Sequence, residues 1–295
     1  MTEPAAPLDF TGERFTPECV REIWYEHWHR YVFARELARG KRVLDAACGE
    51  GYGTALLAGA ASQAVGVDVS EEVVAAARRR YGDRANLEYR AERCEATGLA
   101  DASVDLVVSF ETLEHVADPE AIVQEAARVL VPGGLFLVST PNKRVYSDER
   151  DYRNPHHVHE LERDAFERML GARFERVTLY AQRVDSYSAI WPAAGAGQSV
   201  TLLESAKQDP ASTQPGLADP MYWIALCGPA AAVDAAAGEV SLLSDRGHEV
   251  QSGVDAAVRH IAELRAYVQR LEAAYTASQE QLAQLSNPQP GWKRR

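Results

Sequence analysis

Apolar positions follow two different rhythms along this chain. Between about Cys19 and Thr140, short apolar runs alternate with stretches in which apolar residues recur every three to four positions, the mark of strands and amphipathic helices alternating around a parallel sheet. The runs predict strands at Arg42–Ala46, Ala64–Val69, Asn86–Arg90, Asp105–Phe110 and Leu135–Thr140. The helical period predicts helices from about Val20 to Leu37, from Thr54 onward, from Glu71 to Tyr81 and from Pro119 to Leu130, the last stopped by Gly133-Gly134. A helix at Arg163–Leu170 and strands at Phe174–Ala181 and Met221–Cys227 follow. A long segment rich in Ala, Gly, Pro and Ser separates these strands and reads equally as a lid or a surface loop; Tyr187 and Trp191 near its start favour a partly ordered cover.

From Val254 the rhythm changes. Val254, Ala257, Ile261, Leu264, Val268, Leu271, Tyr275, Leu282 and Leu285 fall on alternate steps of three and four, with Ser278 the polar member of the seam. β-Branched residues on one seam position and leucine on the other predict a parallel two-stranded coiled coil, and hence a homodimer. The flanking pairs His260 with Arg265 and Tyr267 with Glu272 carry little complementary charge, and a helix folded back on its own domain satisfies the same pattern. The expected organisation is a helical cap over residues 1–40, an α/β domain over 41–230, a coiled-coil helix over 239–287 and a disordered tail over 288–295.

Composition narrows the function classes. A chain of 295 residues with 46% apolar content can bury one substantial core and an appendage. No apolar run approaches bilayer-spanning length, and Met1–Asp9 has neither a basic stretch nor an apolar core, so a cytoplasmic protein without a membrane-inserted segment is expected. A net charge of −12 opposes a polyanionic partner and argues against nucleic acid. Cys19, Cys48, Cys94 and Cys227 lack C-x-x-C spacing, which argues against a zinc centre and a disulfide framework.

The densest chemistry lies in Val43-Leu44-Asp45-Ala46-Ala47-Cys48-Gly49-Glu50-Gly51-Tyr52-Gly53, a strand running into a glycine-rich turn and then a helix. Glycine lets backbone approach a ligand without a Cβ in the way, and a helix start presents unpaired N–H groups, so the stretch reads as a nucleotide-binding loop. The next strand ends in Asp68, at the spacing where a carboxylate can take both hydroxyls of a ribose. Glycine at every second position, with Asp45 just before the turn, departs from G-x-G-x-x-G and disfavours NAD.

The pattern V-L-D-x-x-C-G-x-G-x-G resembles motif I of class I S-adenosylmethionine-dependent methyltransferases. G-E-R-F-x-P, E-H-x-H-R-Y, F-E-T-x-E-H-V, S-T-P-N-K and H-x-x-E-L, spread over roughly Gly12 to Leu161, are together similar to methyltransferases of polysaccharide and glycan biosynthesis. The resemblance implies a Rossmann-like α/β fold, mostly parallel with an antiparallel last strand, and S-adenosylmethionine as cofactor. It implies Asp45 and the backbone of Gly49, Gly51 and Gly53 at the amino-acid end of the cofactor, and Asp68 with Val69 at the ribose. Many relatives carry an Asp for adenine after the third strand; Ala91-Glu92-Arg93-Cys94-Glu95 stands there, leaving the backbone at Cys94 or the side chain of Glu92 or Glu95. Glu111, at the end of the fourth strand, is placed to touch cofactor or acceptor.

Two clusters belong to the acceptor side. Arg14 and the run Glu26-His27-Trp28-His29-Arg30-Tyr31 gather acids, bases and aromatics on a helix that would pack over the cofactor mouth, with Glu26 and Arg30 spaced for an ion pair. Asn154-Pro155-His156-His157-Val158-His159-Glu160 follows the fifth strand, where acceptor residues sit in this kind of fold. His157 and His159 would share a face if extended, which raises a divalent metal, yet no clear ligand set accompanies them. The alternatives are a general base, His157, His115 or His159, with Glu26, His27, His29 and His156 binding the acceptor, or a structural role. The glycan resemblance implies methylation of a sugar hydroxyl on a glycan or oligosaccharide precursor. A small natural product or quinone precursor as acceptor, and a cofactor-binding scaffold for glycan enzymes, stay open as rivals.

Overall fold

Every strand of the central sheet except one runs the same way, because helices on both faces carry the chain back to the starting edge. The computed structural model describes residues 22–185, 203–206, 209–215, 217–238, 240–243 and 249–286. The sheet comprises β1 (Arg42–Ala46), β2 (Gln63–Asp68), β3 (Leu87–Ala91), β4 (Val104–Ser109), β5 (Leu130–Pro141), β6 (Arg176–Gln182) and, after a separate hairpin of β7 (Leu203–Ala206) and β8 (Asp209–Pro215), β9 (Tyr222–Gly228). Its order is β3-β2-β1-β4-β5-β9-β6, and β9 alone is antiparallel to both of its neighbours. The order reverses between β1 and β4, so the crevice at the carboxyl ends of these two strands is the natural ligand site.

Alternate residues of each strand feed two separate cores. Leu44, Val107 and Phe136 pack on one face, and Val43, Leu106 and Leu137 on the other. Burial on both faces explains why the strands read as unbroken apolar runs. Helices α1 (Glu22–Leu37), α2 (Tyr52–Ala58), α3 (Glu71–Tyr81), α4 (Pro119–Val129), α5 (Arg163–Gly171) and α6 (Ala230–Ala236) complete this unit. Two starts are capped by side chains: Ser70 accepts from Val73 N–H, and Asp118 from Ala121 N–H with Pro119 at the first helical position.

One expected signal has a different cause. Helix α4 ends at Val129, and Leu130 is already extended and paired with Val104, so Gly133-Gly134 lies inside β5 and does not cap the helix. Pro132 forbids continuation of the helix, and Gly133, at φ +89°, makes the irregularity between the Val104–Leu130 and Leu106–Leu135 pairs.

The chain divides into two compact units, Met1–Leu243 and Ser244–Arg295. The second contains α7 (Glu249–Ser286); residues 240–243 are not helical, so the long helix starts later than the heptad reading placed it. Ile261, Leu264, Val268 and Leu271 on its seam are each about half exposed. Among the described residues no helix is long and apolar enough to cross a membrane. Arg14, Cys19, Tyr187, Trp191 and the tail 288–295 lie outside the described residues.

Candidate active site

The glycine loop is shaped by its own protein before any ligand is considered. Leaving β1, the chain takes positive φ at Ala47 (+63°), Gly49 (+53°) and Gly51 (+79°). A Cβ on Gly51 would lie 2.5 Å from the Tyr89 ring, and one on Gly53 would lie 2.1 Å from the Tyr31 ring. Those rings serve the site in turn: Tyr89 donates its hydroxyl to Gly51 O at 2.6 Å, and Tyr31 donates to Asp45 Oδ1 at 3.1 Å. Thr54 Oγ1 donates to Asp45 Oδ2 at 2.6 Å. Asp45 is fully buried, and desolvation pushes its carboxyl up to about 7 despite the bonds from Thr54 and Tyr31.

Asp68, at the end of β2, ties this loop to the neighbouring strand. Its Oδ2 accepts from Gly49 N–H and its Oδ1 from Ser70 N–H, both at 3.0 Å. Each carboxylate oxygen has two lone pairs, so both keep capacity for a ligand hydroxyl. Val69 next to it is an apolar side chain that is 69% exposed. Cys94 is half-buried with its thiol pushed up to about 12 by burial and by Glu95. Glu95 is occupied by Cys94 Sγ and Arg93.

At the end of β4, Glu111 adopts φ +51°, a strained conformation for a side-chain-bearing residue. Ser139 on β5 holds it twice: Glu111 N–H donates to Ser139 Oγ at 3.1 Å, and that hydroxyl donates to Glu111 Oε1 at 2.6 Å. Facing Glu111 at 3.5 Å is Nη1 of Arg30, a residue only 1% exposed. The guanidinium lies 4.3 Å over the Tyr222 ring, and its Nε donates to Gln182 Oε1 at 2.7 Å. Gln182 Nε2 donates to Glu26 O at 3.0 Å, and the Tyr222 hydroxyl to Glu26 Oε2 at 3.0 Å. The expected local pairing of Glu26 with Arg30 is thus reached through Tyr222 and Gln182, while Arg30 pairs directly with Glu111. Among the described residues Arg30 Nη1 and Nη2 meet no hydrogen-bond acceptor. Sequence reading offered Glu26 as the ion-pair partner of Arg30; the direct partner, Glu111, is set by tertiary placement.

His27 is held neutral, its pKa lowered well below the usual range by burial and then by Arg30; His29 is lowered for the same two reasons and bonds Ser241 Oγ at 2.9 Å through Nε2.

Beyond β5, a π turn at Arg144–Asp148 and the loop up to Glu160 surround a cavity of about 510 Å³, within the range of small-molecule sites. Lys143, Ser147, Asp148, Asp151, Tyr152, Arg153, Asn154, His157 and Glu160 line it; Glu26, His27, His29, His115, His156 and His159 do not. Asp151 adds another positive φ, +47°. The loop is anchored to the turn after β4: Val158 and His159 N–H donate to Glu114 O at 2.7 and 3.1 Å, and His115 Nδ1 bonds His156 O at 3.1 Å. His159 takes part through its backbone, and its side chain is exposed. Glu114 is buried, and desolvation, followed by the charge of Glu111, raises its pKa well above the carboxylate range. Glu114, His115 and His157 offer ligand atoms within 4.8 Å of one another. The set suits a divalent cation poorly, because Glu160 and Asn154 already occupy both nitrogens of His157 and burial favours neutral Glu114.

Residues 44–138 match the family described as "Methyltransferase domain". A Mycolicibacterium smegmatis protein named "Probable S-adenosylmethionine-dependent methyltransferase" is 43% identical over 157 residues, 52% of this chain and 60% of that protein. A Mycobacterium tuberculosis protein of the same name is 41% identical over 172 residues, 57% of this chain and 62% of that one. A Sinorhizobium medicae "Ubiquinone biosynthesis O-methyltransferase" is 34% identical over 125 residues, 42% of this chain and half of that protein. The chain therefore spans about 60% of the length of the first two relatives. These names are generic or point to ubiquinone, and none of the three mentions a glycan. From β1 to β5 the chain carries the methyltransferase-domain pattern on the matching sheet, and it is similar there to S-adenosylmethionine-dependent methyltransferases.

Proposed function

We propose that this protein is an S-adenosylmethionine-dependent O-methyltransferase whose acceptor is a sugar hydroxyl of a glycan or oligosaccharide precursor. The cavity carries the acceptor half of the reading: all nine lining residues bear hydrogen-bonding groups, and Tyr152 adds an aromatic face. Such walls suit a polyhydroxylated molecule better than an apolar ring. The relatives named for ubiquinone biosynthesis support the rival, a quinone precursor or other small molecule as acceptor.

The residues present fit the cofactor. Asp68 has lone pairs for ribose hydroxyls, and Val69 is an open apolar contact for the base. When bound, S-adenosylmethionine supplies a methyl group on a positively charged sulfur. Glu111, fixed by Ser139 and Arg30, keeps a negative charge at the same end of the sheet, and the anchored loop holds the acceptor wall against the turn after β4. Histidine is the group with the right chemistry to take the acceptor proton.

Incubation with S-adenosylmethionine and a panel of mono- and oligosaccharides, read by mass spectrometry with and without EDTA, tests this. A methyl mass gain on a sugar that survives EDTA is expected. Gain only on phenolic or quinone-like acceptors establishes the rival, and loss with EDTA restores a metal. Cofactor retained with no turnover on either class leaves the scaffold reading. Asp68→Ala is expected to weaken S-adenosylhomocysteine binding by about a hundredfold in calorimetry, the loss of two charge-assisted contacts; unchanged affinity sinks the loop assignment.

The homodimer belongs to the same proposal. On α7, Ile261 and Val268 alternate with Leu264 and Leu271, the seam of a parallel two-stranded coil, and all four are half exposed. Sedimentation of the full chain is expected to give a dimer that Leu264→Asp with Leu271→Asp converts to monomer; a wild-type monomer removes the claim.

A further inference from the structure

We propose that Glu160 and Asn154 hold His157 in the tautomer that accepts the acceptor's proton. His157 is thereby the catalytic base, with Glu160 and Asn154 as positioning residues. The inference rests on the reading of the cavity as the acceptor site.

The side chain of His157 is 6% exposed, and its ring is fixed by packing on two sides. It stacks on Tyr146 at 5.3 Å and 25°, and meets the edge of His115 at 4.9 Å and 82°. Nδ1 lies 2.7 Å from Glu160 Oε1. A carboxylate offers only lone pairs, so Nδ1 carries the proton. On the other side, Nε2 lies 3.0 Å from Asn154 Nδ2. The amide cannot be turned round, because Asn154 Oδ1 already accepts from His156 N–H at 3.0 Å; its side chain also bonds the Tyr146 hydroxyl. Asn154 therefore points N–H at Nε2, which must present its lone pair. Two neighbours of opposite hydrogen-bonding character thus dictate one tautomer, the one a general base needs.

Both positioning residues line the cavity with His157. An arriving acceptor hydroxyl can replace the Asn154 N–H at Nε2, one donor for another, and the released amide can donate to a second acceptor oxygen, so no group is left unpaired. The acceptor oxygen then forms its bond to the methyl carbon as the carbon–sulfur bond breaks and its electron pair returns to sulfur. The hydroxyl proton passes to Nε2, and the imidazolium that results faces the Glu160 carboxylate. The products are a methyl ether, S-adenosylhomocysteine and a protonated His157 that returns its proton to solvent.

The test uses the full chain labelled with ¹⁵N in histidine, with His157 assigned from His157→Gln, and long-range proton–nitrogen correlation at pH 8. Wild type is expected to show protonated Nδ1 and bare Nε2. Glu160→Gln, which can donate as well as accept, is expected to lose that preference. Asn154→Asp, which turns a donor into an acceptor, is expected to draw a proton onto Nε2. In methylation of the sugar panel, Asn154→Asp lowers kcat about a hundredfold, the lower end of the contribution of general-base catalysis, and Glu160→Gln about tenfold, a partial loss, while calorimetric affinity for S-adenosylhomocysteine stays at the wild-type value. Glu160→Asp rescues most of the loss. An Nε2-protonated ring in wild type, or wild-type kcat in Glu160→Gln, overturns the proposal. Absence of turnover on any sugar overturns the acceptor reading instead, and the nitrogen spectra of wild type still decide the tautomer.

Discussion

In the proposed reading, the cofactor side of this site and the buried network around Arg30 beside it are assembled by opposite means. On the donor side, Asp45, Gly49, Gly51, Gly53 and Asp68 sit close together in the chain, and the loop is fixed by rings pressed directly on its glycines. In the second part, Arg30 gets its partners from the turn after β4, from β6 and from β9, and Tyr222 reaches Glu26 across 196 positions of chain. The first kind of construction tolerates almost no change in shape; the second is a buried polar network in which removing one charged member leaves its partner uncompensated.

The largest effect expected from that contrast is at Gly51. Alanine there must hold φ +79° and place its Cβ 2.5 Å from Tyr89 and 2.8 Å from Ala77 Cβ, with Tyr89 unable to retreat without losing its bond to Gly51 O. Strain and overpacking together cost about 3 kcal/mol, which lowers Tm by roughly 6 to 12 °C in a unit of this size. Differential scanning calorimetry without cofactor measures it. A loss below a third of that magnitude breaks the claim that sterics fix the donor loop.

Asp45 comes next. Its folded pKa, about 7, stands above the unfolded 3.8, so the native state holds the proton more tightly and stability is lost as pH rises from about 4 to about 7, remaining low above that. Glu114, shifted in the same direction, adds to the trend. Asp45→Asn removes the first contribution. Urea unfolding at pH 5 and pH 8 is expected to show wild type losing about 2 to 3 kcal/mol more than the variant between the two. Equal pH dependence in both proteins means Asp45 is ionised at neutral pH in the fold.

How far these features could be read in the sequence follows the same division. Strand β1 has the bounds expected, and β2 to β4 begin or end within a residue or two, because unbroken apolar runs flanked by turn residues have few other solutions. The glycine spacing exposed the loop, yet the reason for Gly51 and Gly53 lies in Tyr89 and Tyr31, which no spacing rule connects to them. Helix α6 escaped notice since Ala230–Ala236 is too uniform in Ala to show a polar face. Gly133-Gly134 looked like a helix stop because local rules cannot see that Leu130 finds a strand partner in Val104. Helical spacing put Arg30 beside Glu26 correctly, but its ion-pair partner Glu111 and its stacking partner Tyr222 depend on tertiary placement. His157 and Glu160 were both visible in H-x-x-E; the polarity of the pair, set by Asn154 on the other nitrogen, was not.

The smallest effect expected lies where the two sides meet, at Ser139. This residue is fully buried on β5, and its hydroxyl both accepts from Glu111 N–H and donates to Glu111 Oε1. Ser139→Ala removes both bonds. Glu111 keeps the guanidinium of Arg30 at 3.5 Å, so its charge is not left alone. The expected cost is about 1 kcal/mol, roughly 2 to 4 °C in Tm, because a backbone N–H loses its partner while the carboxylate retains one. Relief of the φ +51° conformation at Glu111 offsets part of it, and the double variant Ser139→Ala with Glu111→Gly separates the two terms. If glycine gains stability in wild type and not in the Ser139→Ala background, the strain has already relaxed there and Ser139 is what keeps Glu111 strained. If glycine has the same effect in both backgrounds, the strain is held by the turn itself and this network is as locally determined as the glycine loop.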